Sequence, residues 1–415
     1  MVRAVHTWRN RLGIYDEMGC TVVHFHLKVS YDLSQPREEF VVTKLRVFFG
    51  GNVGSDPKSP RTWSGSGLFM VNAMDGAGVL DGAVGIKVPR LRNSFLLAKN
   101  FNRDRSIWRT HYYFDPAYRR ALSQAASSVS VTDSLPLQIG HMFSLPDVFP
   151  NKKCISYHDG NLAVRLGSGF GFKGVSRRRI DQALRYEEKT AAQMAAILTM
   201  SEYVRQSFIS DYHVPPERVF NVGGGINLAT FPPATPQKDY SAPRILFIGT
   251  EFVRKGGTQL LEAFRTVYDA MPSAELHIVG PSKLNDLPRG VVFHGHLSKT
   301  DPDQQRKLET LFRDSSLFVL PSLYEPFGIA PLEAMLYQLP CLVTDAWALR
   351  ETVTPGFNGD LVPKGSVESL STKLLQLLSH PENLATMGRQ GRDFVLRKYT
   401  WAAVVDRMSA AIGTI

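Results

Sequence analysis

Short apolar runs alternate with amphipathic stretches along the first half of the chain. The first buried strand is predicted at Leu45–Phe49, whose sequence LRVFF runs into two glycines. A loop rich in glycine, serine and proline follows, and Leu68–Met74 is then predicted as a helix. The further predicted elements of this half are strands at Ser128–Val131, Leu137–Ile139, Cys154–Tyr157, Ile197–Met200 and Val219–Val222, and helices at Arg178–Ala196 and Glu202–Tyr212. This alternation predicts a parallel sheet with helices on both faces.

The pattern begins again after a proline-rich segment, Phe231–Pro243, which we interpret as a linker. The predicted strands of this half are Arg244–Ile248, Glu275–Val279, Val291–His294, Leu317–Leu320 and Pro340–Thr344. The predicted helices are Thr258–Met271, Gln304–Arg313, Pro331–Tyr337, Ser366–Leu378 and Trp401–Ile415. The whole pattern predicts two doubly wound α/β domains in tandem, with a ligand in the cleft between them.

These patterns divide the chain into four parts. We expect an N-terminal extension of undetermined order over residues 1–43, followed by a first Rossmann-like domain over residues 44–233. A second Rossmann-like domain is expected over residues 242–396. The last part, residues 397–415, is predicted as a helix that packs back on the first domain.

The composition is that of a folded protein, and its charge favours one class of partner. The chain has 415 residues, of which 43% are hydrophobic, too many for a disordered protein. Its formal net charge of +10 favours an anionic partner, with simple solubility as the alternative. The three cysteines include no close pair, so we expect no disulfide framework and a reducing compartment. No apolar run approaches the length of about 18 residues that a transmembrane helix needs.

Two carboxylates, Glu325 and Glu333, bracket the segment PFGIAPL. Pro331 is tolerated in a first helical turn, because its missing N–H would have had no partner there. A helix is therefore predicted to begin near Gly328–Pro331, directly after a buried strand. Its free N–H groups and positive dipole end favour a phosphate. Carboxylates beside such a helix start suit a nucleotide sugar, which has both phosphates and hydroxyls; the alternative is a helix cap plus one surface glutamate.

The segment Glu325–Glu333 resembles the donor-binding signature E-x7-E of retaining glycosyltransferases of family 4, which have the GT-B fold. The resemblance runs from about Arg46 to the end of the chain and is strongest after Ser201. The surrounding residues that agree with the family are Pro321–Gly328, Glu333–Met335, Gln338–Pro340, Thr344-Asp345, Glu351, Gly356–Gly359, Leu361–Pro363 and Tyr399–Trp401.

This resemblance implies two Rossmann-like domains that face a central cleft, with the acceptor side in residues 44–233 and the nucleotide-sugar donor in residues 242–396. It implies a hexosyltransferase that moves a hexose from a UDP- or GDP-sugar to a hydroxyl acceptor, with retention of the anomeric configuration. Members of this fold generally need no metal, and no Asp-x-Asp motif is apparent, so neither a metal nor another cofactor is expected. The donor sugar, its base, the acceptor, the general base and the oligomeric state stay open.

The resemblance also assigns donor residues. Glu333 is expected to hold the ribose hydroxyls, and Glu325, as a catalytic residue, the hydroxyls of the transferred sugar. The remaining expected donor-binding residues are Phe327, Gly328, Ile329 and Ala330 at the helix start, and Gly65 and Gly67 on the glycine-rich loop of the first domain.

Arg254 and Lys255 lie on the loop after the strand Arg244–Ile248. Such a loop faces the cleft, and both side chains suit a diphosphate. Lys255-Gly256 matches the family, whereas Thr250 stands where many members have arginine. We expect both basic residues to stabilise charge on the leaving diphosphate, with a solvated basic pair as the alternative.

His158 and Asp159 follow the strand Cys154–Tyr157 on the first domain. A histidine there can hydrogen-bond the transferred sugar or the acceptor, with Asp159 orienting it, although a lone histidine is more often structural. Asn227, which ends the glycine-rich segment before the linker, is expected beside them on the acceptor side.

Basic residues are dense in Lys87–Arg109 and in Arg177–Arg179. We expect these patches to rest on an acidic membrane surface or to hold an anionic acceptor; the alternative is a solvated face. The expected partners are the donor and a glycan or lipid-linked acceptor, but no nucleic acid, because no recognition module is apparent. The expected location is the cytoplasm, with peripheral contact at the inner face of the membrane.

Two other functions stay open. One is another activity on the same fold, such as a nucleotide-sugar epimerase or a phosphorylase. The other is a non-catalytic protein that binds sugar nucleotides. Glu325, Glu333 and Lys255 are all present, which argues against the second.

Overall fold

The computed structural model describes residues 43–235, 238–281 and 283–415. The expected extension over residues 1–43 lies outside these ranges, apart from Thr43. From Thr43 to the C-terminus the chain forms a single compact unit that contains two parallel sheets.

The first sheet has the strand order β2-β1-β3-β4-β5-β6, and all its pairings are parallel. Its strands are β1 (Leu45–Phe49), β2 (Leu80–Gly85), β3 (Leu135–Ile139), β4 (Ile155–His158), β5 (Ala196–Thr199) and β6 (Val219–Asn221). The chain reverses its direction of travel across the sheet between β1 and β3. The loops that follow these two strands therefore flank a crevice at the carboxyl edge of the sheet.

The second sheet is also parallel, with the order β12-β11-β10-β7-β8-β9. Its strands are β7 (Arg244–Ile248), β8 (Glu275–Val279), β9 (Val291–Gly295), β10 (Leu317–Leu320), β11 (Cys341–Thr344) and β12 (Gly359–Val362). This is the order of the dinucleotide-binding folds, and its switch point lies between β7 and β10.

Helices connect successive strands and cover both faces of the sheets. They are α1 (Ser66–Gly76), α2 (Arg90–Lys99), α3 (Arg105–Phe114), α4 (Pro116–Ala126), α5 (Leu162–Gly167), α6 (Arg177–Gln193), α7 (Glu202–Ser210), α8 (Gly257–Ala270), α9 (Pro302–Asp314), α10 (Ile329–Leu336), α11 (Leu349–Thr352), α12 (Val367–Leu378), α13 (Pro381–Lys398) and α14 (Trp401–Ile412).

The strands are apolar on both sides because helices cover both faces. In β1, Val47 and Phe49 pack into one buried cluster and Phe48 into the other. The last helix, α14, packs against α1 of the first domain, so the end of the chain joins the two domains.

Two local predictions were wrong, and some elements were missed. Residues Ser128–Val131 do not form a strand, because the hydroxyl of Ser128 donates to the carbonyl of Ala125 at the end of α4. Such bonds compete with a strand ladder. The edge strand β2 was missed, since two glycines and half-burial hide its pattern. His158 is the last residue of β4 and does not follow that strand.

Candidate active site

The switch point of the second sheet brings two loops together. Lys255 lies on the loop after β7, and Glu325 lies on the loop after β10, so both sit at the carboxyl edge of neighbouring strands. Ligands of doubly wound sheets bind in this crevice, which makes the two loops a candidate binding site.

The helix α10 begins at Ile329, within the predicted range, and Gly328 is its cap residue. Gly328 has φ of 90°, a left-handed value that glycine adopts without strain. No side chain caps this helix start. Ile329 and Ala330 form its half-buried first positions, where N–H groups have no partner inside the helix.

Glu325 and Glu333 are buried carboxylates that each meet a lysine. Glu325 is 6% exposed and forms an ion pair with Lys255, while Nη1 of Arg254 lies 3.7 Å from its Oε2 atom. Glu333 is 5% exposed, and its Oε1 atom accepts a hydrogen bond of 2.5 Å from Nζ of Lys299. Two carboxylate–lysine pairs therefore flank the start of α10.

Lys299 was not among the residues predicted from the sequence. It lies on the loop after β9, at the same edge of the sheet, and its side chain is partly exposed. Its position after a parallel strand is the signal that points to this edge. Its pairing with Glu333, far along the chain, has no local signature.

Arg254 is held by more than one partner. Its guanidinium forms an ion pair with Glu251 and donates to the carbonyl oxygen of Tyr324 at 2.7 Å. These contacts place Arg254 directly against the loop that carries Glu325.

The first domain contacts the loop that precedes α10. Ser201 donates from its hydroxyl to the carbonyl of Pro326 at 3.1 Å. The ring of Phe327 is buried and faces Tyr399, with 6.3 Å between ring centroids, and it packs against Gly224. Phe327 therefore anchors the loop through its side chain.

A carboxylate of the second domain caps a helix of the first. Glu351 on α11 accepts hydrogen bonds from the backbone N–H groups of Glu202 and Tyr203, at 2.7 and 2.8 Å. These are two free donors at the start of α7. Burial raises the pKa of Glu351 despite these bonds.

The glycine-rich loop of the first domain has a left-handed backbone. Trp63 and Ser64 have φ of 49° and 55°, and Gly65 follows with φ of 93°. Asn227 holds this loop, because its Nδ2 atom donates to the Ser64 carbonyl at 3.2 Å and to the Ser66 hydroxyl at 3.0 Å. Its Oδ1 atom accepts from the indole of Trp401, so the buried amide is fully engaged within the protein.

Gly67 lies in the first turn of α1 and not on the open loop. A Cβ atom there would meet the ring of Phe49 at 3.0 Å. Gly67 thus permits close packing of α1 on the sheet, while Gly65 alone of the two carries the left-handed turn.

His158 is buried, with its ring centroid 4.8 Å from that of Phe208. Burial and the neighbouring His141 hold the pKa of His158 well below its ordinary value. Its Nδ1 atom has no hydrogen-bond partner among the described residues. A neutral imidazole inside the protein is the state that these surroundings favour.

Asp159 faces the second domain from the end of β4. Desolvation raises the pKa of Asp159, and the charge of Glu325 adds to this rise, while Trp63 opposes it. A Cβ atom placed on the adjacent Gly160 would lie 3.6 Å from the Cβ atom of Pro326. The loop after β4 therefore approaches the loop that carries Glu325.

His141 and Glu187 form a second pair that sequence reasoning missed. His141 follows β3, at the switch point of the first sheet, and its Nε2 atom lies 3.0 Å from Oε1 of Glu187. Burial alone would raise the pKa of Glu187, but His141, Arg119 and the N–H of Leu162 hold it below its ordinary value. The ring of His141 is parallel to that of His158 at 6.1 Å.

Comparisons with known proteins agree with this geometry. Residues 233–394 match the family model described as glycosyl transferases group 1. The chain is 28% identical, over 247 residues, to the GDP-mannose-dependent monoacylated alpha-(1-6)-phosphatidylinositol monomannoside mannosyltransferase of Corynebacterium glutamicum. It is 26% identical, over 224 residues, to the D-inositol 3-phosphate glycosyltransferase of Thermobispora bispora.

Residues 233–394 therefore resemble the group 1 glycosyl transferases.

The chain spans little more than half the length of these relatives. The match covers 53% of this chain and 62% of the mannosyltransferase, and 49% of this chain and 52% of the inositol phosphate enzyme. The matched segment contains Lys255, Glu325 and Glu333, which lie around the start of α10.

Solved structures establish the fold. Sucrose-phosphate synthase from Thermosynechococcus elongatus matches with a TM-score of 0.64 at 17% identity, covering 90% of this chain and 98% of that one. HepE from Anabaena, in complex with UDP-glucose, matches with a TM-score of 0.59 at 13% identity, covering 90% and 100%. The expected GT-B fold is therefore confirmed, and the segment that matches the family model, residues 233–394, lies in its second half.

The described ranges contain neither a metal-binding cluster nor a helix that could span a membrane. Within residues 43–235, 238–281 and 283–415, no group of three or more His, Cys, Asp or Glu side chains is arranged to hold a metal ion. No helix in the same ranges is long and apolar enough to cross a membrane.

Proposed function

We propose that this chain transfers a hexose from a UDP- or GDP-sugar to a hydroxyl acceptor, with retention of the anomeric configuration. The observation that carries the proposal is the start of α10, where two buried carboxylates, each paired with a lysine, flank an uncapped helix terminus. A ligand that brings both negative charge and hydroxyl groups matches this combination.

Each group has a distinct role in the proposed transfer. Lys255 and Arg254 stabilise the negative charge that grows on the leaving diphosphate, together with the N–H groups at Ile329 and Ala330. Glu333 accepts hydrogen bonds from the ribose hydroxyls. Glu325 accepts them from the transferred sugar and fixes its orientation for attack.

The first domain supplies the acceptor side. We assign Asp159 to the acceptor, because its loop approaches Pro326 and the charge of Glu325 acts on it; the preceding residue, His158, is a buried, neutral imidazole. Retention is consistent with a departing phosphate that takes the proton of the acceptor hydroxyl on the same face of the sugar.

The relatives support the donor and acceptor classes in this proposal. The mannosyltransferase is named for GDP-mannose and for a phosphatidylinositol acceptor, and HepE was solved with UDP-glucose. We therefore infer a nucleotide-sugar donor and a glycan or lipid-linked acceptor for this chain. Work in the cytoplasm with peripheral membrane contact, and without a metal, belongs to the same proposal.

The test is turnover of labelled UDP- and GDP-sugars by the full chain. Lys255→Ala and Glu333→Ala are each expected to lower turnover by roughly tenfold or more, because each removes a contact to the donor. Lys307→Ala and Glu262→Ala are matched controls on exposed helix positions and should leave turnover unchanged.

Product analysis separates the alternatives. A glycoside plus free nucleoside diphosphate supports the proposal. An isomerised nucleotide sugar would replace it with an epimerase, and binding without product on any acceptor would indicate a non-catalytic protein. Wild-type turnover in both site variants would overturn the roles of Lys255 and Glu333.

A further inference from the structure

The helix α2 carries apolar side chains on its solvent-facing side. Leu91 is 89% exposed and Phe95 is 67% exposed, four residues apart, and Ala98 continues the same exposed stripe. Residues at this spacing share one face of a helix. Leu96, on the opposite side, is buried and attaches α2 to the core.

Phe101 enlarges this apolar surface. It is 65% exposed and packs edge-on against Trp108, with 5.4 Å between ring centroids. Trp108 donates from its indole to the carbonyl of Leu97 at 2.9 Å, which ties it to α2. The side chains of Leu91, Phe95 and Phe101, here called the α2 patch, are thus held outward by a fixed scaffold.

Few large apolar side chains are exposed in the described part of the chain, and most of them lie in the α2 patch. In the part of the chain that the structure describes, five large hydrophobic residues are exposed, and three of them lie within these eleven positions; the other two are Val253 and Val292. Contiguous exposed apolar groups of this kind mark contact with a partner or a membrane.

Basic residues surround the α2 patch. The segment Lys87–Arg109 has seven basic residues and one acidic residue, Asp104. The carboxylate of Asp104 accepts hydrogen bonds from the N–H groups of Ser106 and Ile107, so it caps α3. As the one acidic residue among seven basic ones, it leaves the segment strongly basic.

Most of these cations form no ion pair within the part of the chain that the structure describes, although Arg109 lies over the ring of Tyr113. Lys99 pairs with Asp115, and Arg92 donates to the side chain of Gln124. The other five form no ion pair with any described residue; they are Lys87, Arg90, Arg103, Arg105 and Arg109. Their charge is available to an external anion.

We propose that the α2 patch and the cations around it dock the protein on the surface of an anionic lipid bilayer. Leu91, Phe95 and Phe101 enter the boundary between headgroups and acyl chains, and the free guanidinium groups contact the acidic headgroups. Charge complementarity selects this occupant over a second copy, because two such basic surfaces repel each other. The surface lies on the first domain, outside the donor site. The inference rests on the membrane contact in the proposed function and locates it, but it does not depend on the transfer reaction.

Sedimentation of the full chain with lipid vesicles tests this docking. The protein is expected to partition onto phosphatidylcholine vesicles that contain about 30% phosphatidylserine, and about tenfold less onto pure phosphatidylcholine. About 0.5 M NaCl should release most of it, since salt screens the headgroup contacts. Equal partition onto the two vesicle types would overturn the proposal.

Variants separate the apolar and the charged contributions. The double variant L91S/F95S and the triple variant R90Q/R103Q/R105Q are each expected to lower the partition coefficient by about tenfold. Val292→Ser and Arg397→Gln change an exposed apolar residue and an exposed basic residue outside the first domain and should bind like the wild type. Circular dichroism melting confirms that each variant is folded.

Two results would contradict membrane docking. One is wild-type partition by both variants. The other is a concentration-dependent dimer in analytical ultracentrifugation that L91S/F95S abolishes, because the patch would then bind a second copy. Neither readout requires a donor or turnover, so failure here is distinguishable from failure of the transferase proposal.

Discussion

At the scale of single residues, the first domain buries a titratable group beside the cleft. His158 ends β4, packs against Phe208 and has no hydrogen-bond partner for its Nδ1 atom among the described residues. The folded protein therefore holds this imidazole neutral, whereas an unfolded chain would bind a proton near the ordinary value of 6.5. Protonation consequently favours the unfolded state.

The pH dependence of stability tests this burial. Between pH 6.5 and the lowered pKa of His158, the unfolded state binds one more proton, so the folding equilibrium should weaken by up to about tenfold per pH unit as the pH falls. Denaturant unfolding of the wild type and of His158→Gln from pH 7.5 to 5 measures it. The variant should show the shallower loss, and the exposed control His380→Gln should follow the wild type. Parallel curves for His158→Gln and the wild type would contradict the assignment.

At the scale of elements, the start of α10 depends on the backbone of Gly328. A Cβ atom at this position would lie 2.9 Å from Cδ2 of Leu349, and the residue has φ of 90°. Both facts require a residue without a side chain. The turn that presents Glu325 and the first N–H groups of the helix therefore favours glycine at position 328.

Gly328→Ala is expected to lower the free energy of unfolding by about 1–3 kcal/mol and to weaken donor binding, because the strained turn shifts the start of α10. Gly76→Ala is the matched control, since a Cβ atom there meets nothing within 4 Å. Thermal unfolding and donor titration measure both effects. An unchanged Gly328→Ala protein would mean that this turn is not needed.

Elements with a strong apolar pattern were predictable, and those with a weak one were not. The strands β7, β8 and β10 match their predicted bounds, because apolar residues predominate in each. The edge strand β2 and the helix α2 were missed: the first has two glycines, and the second has apolar residues on its exposed side.

The candidate site divides in the same way. The spacing of Glu325 and Glu333 in the sequence indicates a helix start between them, which the structure confirms. The partners Lys299 and Glu351 lie far along the chain from the groups they contact, so only the fold brings them together. Asn227 was expected on the acceptor side, yet its amide is used between Trp401 and the loop before α1.

At the scale of the whole molecule, polar contacts join the two domains around the cleft. Glu351 caps α7 across the interface, Ser201 contacts the Pro326 carbonyl, and α14 packs on α1. The loop that carries Glu325 is thus fixed from both domains. We therefore expect the loss of these contacts to lower both the free energy of unfolding and the affinity for the donor.

Glu351→Gln tests the contribution of the domain interface. The neutral amide keeps the shape but cannot accept both N–H groups of α7 as a carboxylate does, so the free energy of unfolding should fall by about 1–3 kcal/mol. Glu368→Gln is the matched control, an exposed glutamate in the first turn of α12. Denaturant unfolding compares the two. Equal small effects would indicate that Glu351 does not stabilise the interface.

The most direct measurement is titration calorimetry of UDP and GDP into the full chain. One of the two nucleotides should bind with one molecule per chain, and Lys255→Ala and Glu333→Ala should each raise Kd by roughly tenfold or more, whereas Lys307→Ala should leave it unchanged. Absence of binding by both nucleotides, or an unchanged Kd in both site variants, would contradict a donor site at the start of α10.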